Sequence, residues 1–228
     1  KPLPQDARHV VGKLEKDAPL PTGALDTPDH RALAREVAEE AVILLKNEGG
    51  LLPLDESKLA RLAVIGPNAA EAVISGGGSS MVDPVYSVST LQALRQRLGE
   101  RVIILHEPGC SNQSEEDSDE AAISRAVEAA RQADAVILCI GMPLLFESEG
   151  GDRPHMRLPG RQDELAQRVA QANPRTVVVL TAGAPVSMPW LPAVPALLHG
   201  LYTGQEAGSA AAAVLLGDVN PSGRLTET

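Results

Sequence analysis

Aromatic and basic side chains are scarce in this sequence. One Trp, two Tyr and one Phe among 228 residues cannot build a stacking platform for bases or an aromatic strip for polysaccharide. Basic residues number 20 against 30 acidic ones, giving a formal net charge of -10. That is the wrong sign for neutralising phosphates, so nucleic-acid binding is set aside. No apolar run reaches the roughly 18 residues that would suggest a membrane span. The two cysteines stand in no CxxC or Cys/His spacing. Cys139 lies in the apolar run 135–140 and reads as a small buried hydrophobe, and Cys110 reads as a loop thiol after a Pro-Gly turn. His9, His30, His106, His155 and His199 are scattered, without the spacing of a metal site or a triad. A G-x-S-x-G elbow is missing, which argues against an α/β-hydrolase. Nothing calls for a cofactor or a metal. The chain opens Lys1-Pro2-Leu3-Pro4 and stops at Thr228, and a segment of a longer polypeptide is expected.

What is present is an alternation. Apolar residues make up 43% and charged residues 22%, a globular balance. Thr27-Pro28-Asp29 is suited to start a helix, with a capping hydroxyl, a proline at the first turn and an acid beside the positive helix end. Leu33, Val37, Ala41, Leu44 and Leu45 recur at helical spacing, which predicts a helix to about Asn47, closed by Gly49-Gly50. Short apolar runs follow at 62–65, 102–105, 135–140, 176–180 and 196–198. Helical patterns lie at 89–98, 119–132, 161–172 and 205–216. Near-continuous apolar strands separated by helices describe crossover units. The predicted fold is therefore α/β, a mostly parallel sheet of five or six strands with helices on both faces. The acidic stretch 115–120 reads as a solvated loop entering a helix.

In such sheets ligands meet the loops that leave the carboxyl ends of the strands. The longest of these carries Phe146-Glu147-Ser148-Glu149-Gly150-Gly151-Asp152-Arg153-Pro154. Three carboxylates and an arginine here could form an acid/base site, or a solvated surface, and Gly150-Gly151 would let the backbone turn sharply. Asp152 and Arg153 either pair or support different neighbours. A second loop, Ser75-Gly76-Gly77-Gly78-Ser79-Ser80, lacks the lysine of a phosphate-binding loop. Its glycines suit a backbone that comes close to a polar ligand, with Ser79 or Ser80 offering a hydroxyl. Trp190 reads as a packing residue. Tyr202 and Glu206, at another strand exit, either face the same crevice or hold their loop.

Several phrases together resemble one family. They are Ala41-Val42-Ile43-Leu44-Leu45-Lys46-Asn47 with Leu51-Leu52-Pro53-Leu54, Val64-Ile65-Gly66-Pro67-Asn68-Ala69, the glycine loop 76–80, and Glu149-Gly150-x-Asp152-Arg153. Leu158-Pro159, Gln171-Ala172-Asn173-Pro174, Pro185-Val186, Pro189-Trp190 and the closing Gly217-Asp218-Val219-Asn220-Pro221-Ser222-Gly223-Arg224-Leu225 continue the series. In this order they resemble the second domain of family 3 glycoside hydrolases of the β-glucosidase type, from about residue 30 onward.

The resemblance implies an α/β sandwich at 31–228, with residues 1–30 a connector from a TIM-like barrel that is not in this chain. It implies no cofactor, and as partners a barrel of the same enzyme and a β-glucoside or related glycoside. The barrel would supply the nucleophilic aspartate, and the sandwich the general acid/base, which falls on Glu149. Ser79 matches a position that can touch the sugar, and Asp152 and Arg153 match residues that orient the loop. No role is transferred to Glu147. The second glycine of the pair, Gly151, stands where relatives often have an aromatic. The Glu149 motif favours the glucosidase-like branch over the one that takes its acid from a barrel histidine. A solvated Glu149 is expected to titrate as an ordinary glutamate, near ~4.3. The alternative reading is a non-catalytic α/β domain that binds a small ligand or a partner.

Overall fold

The computed structural model describes residues 26–114, 119–144 and 146–226. Residues 1–25, most of the expected connector, and 115–118 of the acidic stretch lie outside the described residues. The chain begins with helix α1 (Pro28–Ala41), capped by Thr27, whose hydroxyl accepts from His30 N at 3.2 Å. Strand β1 (Ile43–Asn47) follows, then β2 (Arg61–Ile65), α2 (Thr90–Leu98), β3 (Ile103–Glu107), α3 (Glu120–Arg131), β4 (Ala135–Gly141), α4 (Gln162–Ala172), β5 (Thr176–Thr181), β6 (Ala196–His199) and α5 (Ala207–Leu216). Ser89 caps α2 and Asp119 caps α3, each through its side-chain oxygen.

The strands form one six-stranded sheet in the order β1-β6-β5-β4-β2-β3. Every pairing is parallel except β1 with β6. The sheet is buried on both faces, and its strands alternate between two cores. Leu62, Val64, Ile137, Val177, Val179 and Leu198 face α1, α2 and α5. Ala63, Ile65, Val136, Leu138, Ile140, Val178 and Leu180 face α3 and α4. A strand covered on both sides must be apolar at every position, which is why these runs are uninterrupted in the sequence. Trp190 is buried in the second core, and its indole N–H donates to Asp163 at 2.9 Å. Both cysteines are buried, Cys110 included, although it follows a turn.

The first helix departs from expectation. It ends at Ala41 instead of near Asn47, because Val42, Ile43 and their neighbours extend into β1 and pair with the otherwise open edge of β6. Leu33 and Val37 of the expected apolar stripe are 59% exposed. The buried contact is Ala38, small enough for α1 to approach the alanine-rich α5 closely.

Among the parallel strands the connection direction reverses between β2 and β4. The helix after β2 lies on one face, and the helices after β3 and β4 lie on the other. At such a reversal the loops leaving adjacent strands part in opposite directions and open a crevice.

Candidate active site

The β2 and β4 exits meet over that reversal. Gly77 bridges Ser148 in parallel, and Gly77 N–H donates to Glu147 O at 2.8 Å. Together with the exits of β5 and β6 they wall an open crevice of about 470 Å³, lined by Ser79, Glu147, Glu149, Asp152, Arg153 and Tyr202 among others. That volume is in the range of small-molecule sites.

Glu149 stands at the corner of a tight turn. Ser148 O accepts from Gly151 N at 3.2 Å, closing residues 148–151, and Gly150 takes φ +78 at the third position. Only glycine adopts that conformation without strain. The turn leaves Glu149 exposed to the crevice. Ser79 reaches across from the glycine loop, and its backbone N–H donates to Glu149 Oε2 at 3.0 Å. The hydroxyl of Ser79, first, and this N–H, second, hold the Glu149 carboxyl below the usual glutamate range. The expected ordinary titration is thereby corrected: exposure is outweighed by two donors that favour the ionised form.

Glu147, two residues earlier, faces inward. Its Oε2 accepts from Gly183 N at 2.6 Å and from the Tyr202 hydroxyl, and its Oε1 lies 3.4 Å from Arg153 Nη1. A Cβ on Gly183 would sit 2.6 Å from the Tyr202 ring, so only glycine brings this N–H to the carboxylate. Burial first, and the Glu147 hydrogen bond second, push the Tyr202 phenol up, so it remains a donor. Leu201 beside it holds φ +48, a strained setting for a branched side chain. Arg153 also donates to Pro185 O at 2.8 Å. Asp152 is exposed on the crevice wall.

The structure thus brings Glu149, Ser79, Asp152 and Arg153 into one crevice. Tyr202 both faces it and holds its loop, whereas Glu206 is buried elsewhere and accepts from the Tyr86 hydroxyl. Sequence reasoning missed Gln162. This fully buried side chain accepts from Gly141 N at 2.8 Å and donates to Gly141 O and Pro159 O, closing the base of the loop that carries Glu149. Its only advance signal was a polar residue one position into a helix otherwise patterned for burial.

The model of the glycosyl hydrolase family 3 C-terminal domain matches residues 42–228. This chain belongs to that family. A β-xylosidase of Formosa agariphila is 40% identical over 96% of this chain and 31% of its own length. The thermostable β-glucosidase B of Acetivibrio thermocellus is 38% identical over 89% of the chain and 26% of its own. The solved family 3 β-glucosidase of Bifidobacterium adolescentis superposes with a TM-score of 0.80 at 34% identity, covering 89% of this chain and 29% of that one. The chain therefore spans about a third of the length of such relatives. The family 3 C-terminal fold accounts for the six-stranded sheet and both helical layers.

Proposed function

We propose that this domain completes the active site of a retaining β-glycosidase of the β-glucosidase type, with Glu149 as general acid/base and a barrel aspartate outside this chain as nucleophile. The observation that carries the reading is the presentation of Glu149: a carboxylate at a turn corner, open to a crevice at the strand reversal, and steadied from the facing loop by Ser79. A barrel closing over this crevice would hold the sugar and bring the two carboxyls within about 5–5.5 Å, the spacing of retaining hydrolysis. The aspartate attacks the anomeric carbon while Glu149 gives its proton to the departing oxygen. Glu149, now ionised, then takes a proton from water, which attacks the glycosyl ester and releases the sugar.

The two donors from Ser79 favour the form that acts in the second step. In the first step Glu149 must be protonated. Burial under the barrel and the charge of the neighbouring nucleophile both push its pKa up. Once the nucleophile is esterified that charge is gone, and the Ser79 donors again favour the carboxylate. Arg153 anchors the loop to Pro185, and Asp152 completes its wall.

The experiment is Glu149→Ala in the full-length protein. Hydrolysis of disaccharides, whose leaving groups need a proton, should fall roughly 10²- to 10⁴-fold. Activated aryl glycosides should lose less, and added azide should restore rate by attacking the glycosyl ester in place of activated water. Intact disaccharide hydrolysis in the variant would rule the assignment out.

A further inference from the structure

Glu147 is nearly enclosed, with 10% of its side chain exposed, yet its bonds run to three other strand exits. Its main-chain oxygen holds Gly77 after β2, and its carboxylate holds Gly183 after β5 and Tyr202 after β6. The remaining carboxylate oxygen faces Arg153 Nη1 at 3.4 Å, and neither atom has a hydrogen-bond partner. The ionisable groups of the described residues that line the crevice are Glu147, Glu149, Asp152, Arg153 and Tyr202, with Ser79 adding neutral donors. Arg153 is the one cation among them. Arg153 lines the same crevice as Glu149, and a guanidinium whose charge is not offset there favours the ionised carboxyl, the form that has no proton to give.

We propose that Glu147 is a positioning residue for the acid/base turn: it locks the turn to the neighbouring exits and neutralises Arg153, leaving Glu149 able to take up the proton it must deliver. This rests on the reading of Glu149 as acid/base. The test is the pH dependence of kcat/KM on a disaccharide for the full-length protein and for Glu147→Gln, Arg153→Gln, the double variant and Glu149→Ala. The alkaline limb reports ionisation of the acid in the free enzyme. Glu147→Gln should lower the rate roughly tenfold and move that limb toward acid. Arg153→Gln, which leaves an unpaired anion, should move it toward alkali. The double variant should return the limb to its original position without restoring the rate. A limb that stays put in both single variants, or stays displaced in the double variant, overturns the proposal, even where the rate falls. Should Glu147→Gln fail to fold, the Arg153→Gln limb still decides. If Glu149→Ala leaves disaccharide hydrolysis intact, the acid/base reading itself is lost. If Glu149→Ala behaves as an acid/base knockout while the limbs do not move, Glu147 alone loses its role.

Discussion

Gly78 sits at φ +74 against the turn that carries Glu149, the proposed acid/base, and a Cβ built there would lie 2.5 Å from Glu149 Cβ and 3.0 Å from Glu149 N. Ordinary carbon contacts begin about 1 Å farther out. Gly78→Ala must therefore push the Glu149 backbone away by about 1 Å, because the obstacle is main chain and Cβ, not the end of a flexible side chain. A misplacement of about 1 Å at a reacting group is worth roughly a hundredfold in rate. The left-handed conformation adds about 1–2 kcal/mol of strain, or several degrees in Tm for a domain of this size. Gly49→Ala separates the two effects. It has φ +66 and ψ +9 with nothing within 4 Å, just after β1, so it carries the strain without the collision. In the full-length protein both variants should melt lower, Gly78→Ala by more because of the added collision, but only Gly78→Ala should lose about two orders of magnitude in kcat/KM on a disaccharide. If the two variants kept equal activity, the steric argument for how Glu149 is aimed would fail.

Ser79→Ala removes one of the two donors on Glu149 and should raise its pKa toward the ordinary glutamate value, the backbone N–H keeping part of the depression. Because the folded value lies below the unfolded one, the stabilisation from this ionisation is complete above the ordinary value and fades as pH falls through the folded one. Carboxyl-detected NMR titration of the folded chain reads the midpoint and urea unfolding across pH reads the stability, and an unchanged Glu149 midpoint in the variant would count against the Ser79 contact. Gln162→Leu strands Gly141 N–H and C=O in a dry interior, each worth about 1–3 kcal/mol. Urea unfolding should show a lower midpoint with an unchanged slope, and a wild-type midpoint would mean that these groups find other partners.

The layered sheet was legible in the sequence because strands buried on both faces leave uninterrupted apolar runs, as in Ala135–Gly141 and Thr176–Thr181. The end of α1 was not legible. Leu44 and Leu45 fit a helical stripe as well as they fit an edge strand, and what decides between them is β6, a partner more than 150 residues away. The site divides the same way. The carboxylates and glycines of 147–152 form one local phrase that marks this loop in the sequence, and only the family resemblance singles out Glu149 among them. The Glu147 contacts with Gly183 and Tyr202 join three loops that are distant in sequence, so no spacing announces them. The depressed pKa of Glu149 was hidden for the same reason, since Ser79 lies 70 positions away.

The pairing of Gly77 with Ser148 has a practical corollary for anyone recombining relatives. The glycine-rich segment and the segment bearing Glu149 are hydrogen-bonded to each other as a miniature ribbon, so neither is an independent cassette. Chimeras whose crossover falls between residues 82 and 142 would marry halves that grew up apart, and should be crippled even when each parent is fully active. Grafts that carry both segments from one donor should keep the ribbon in register.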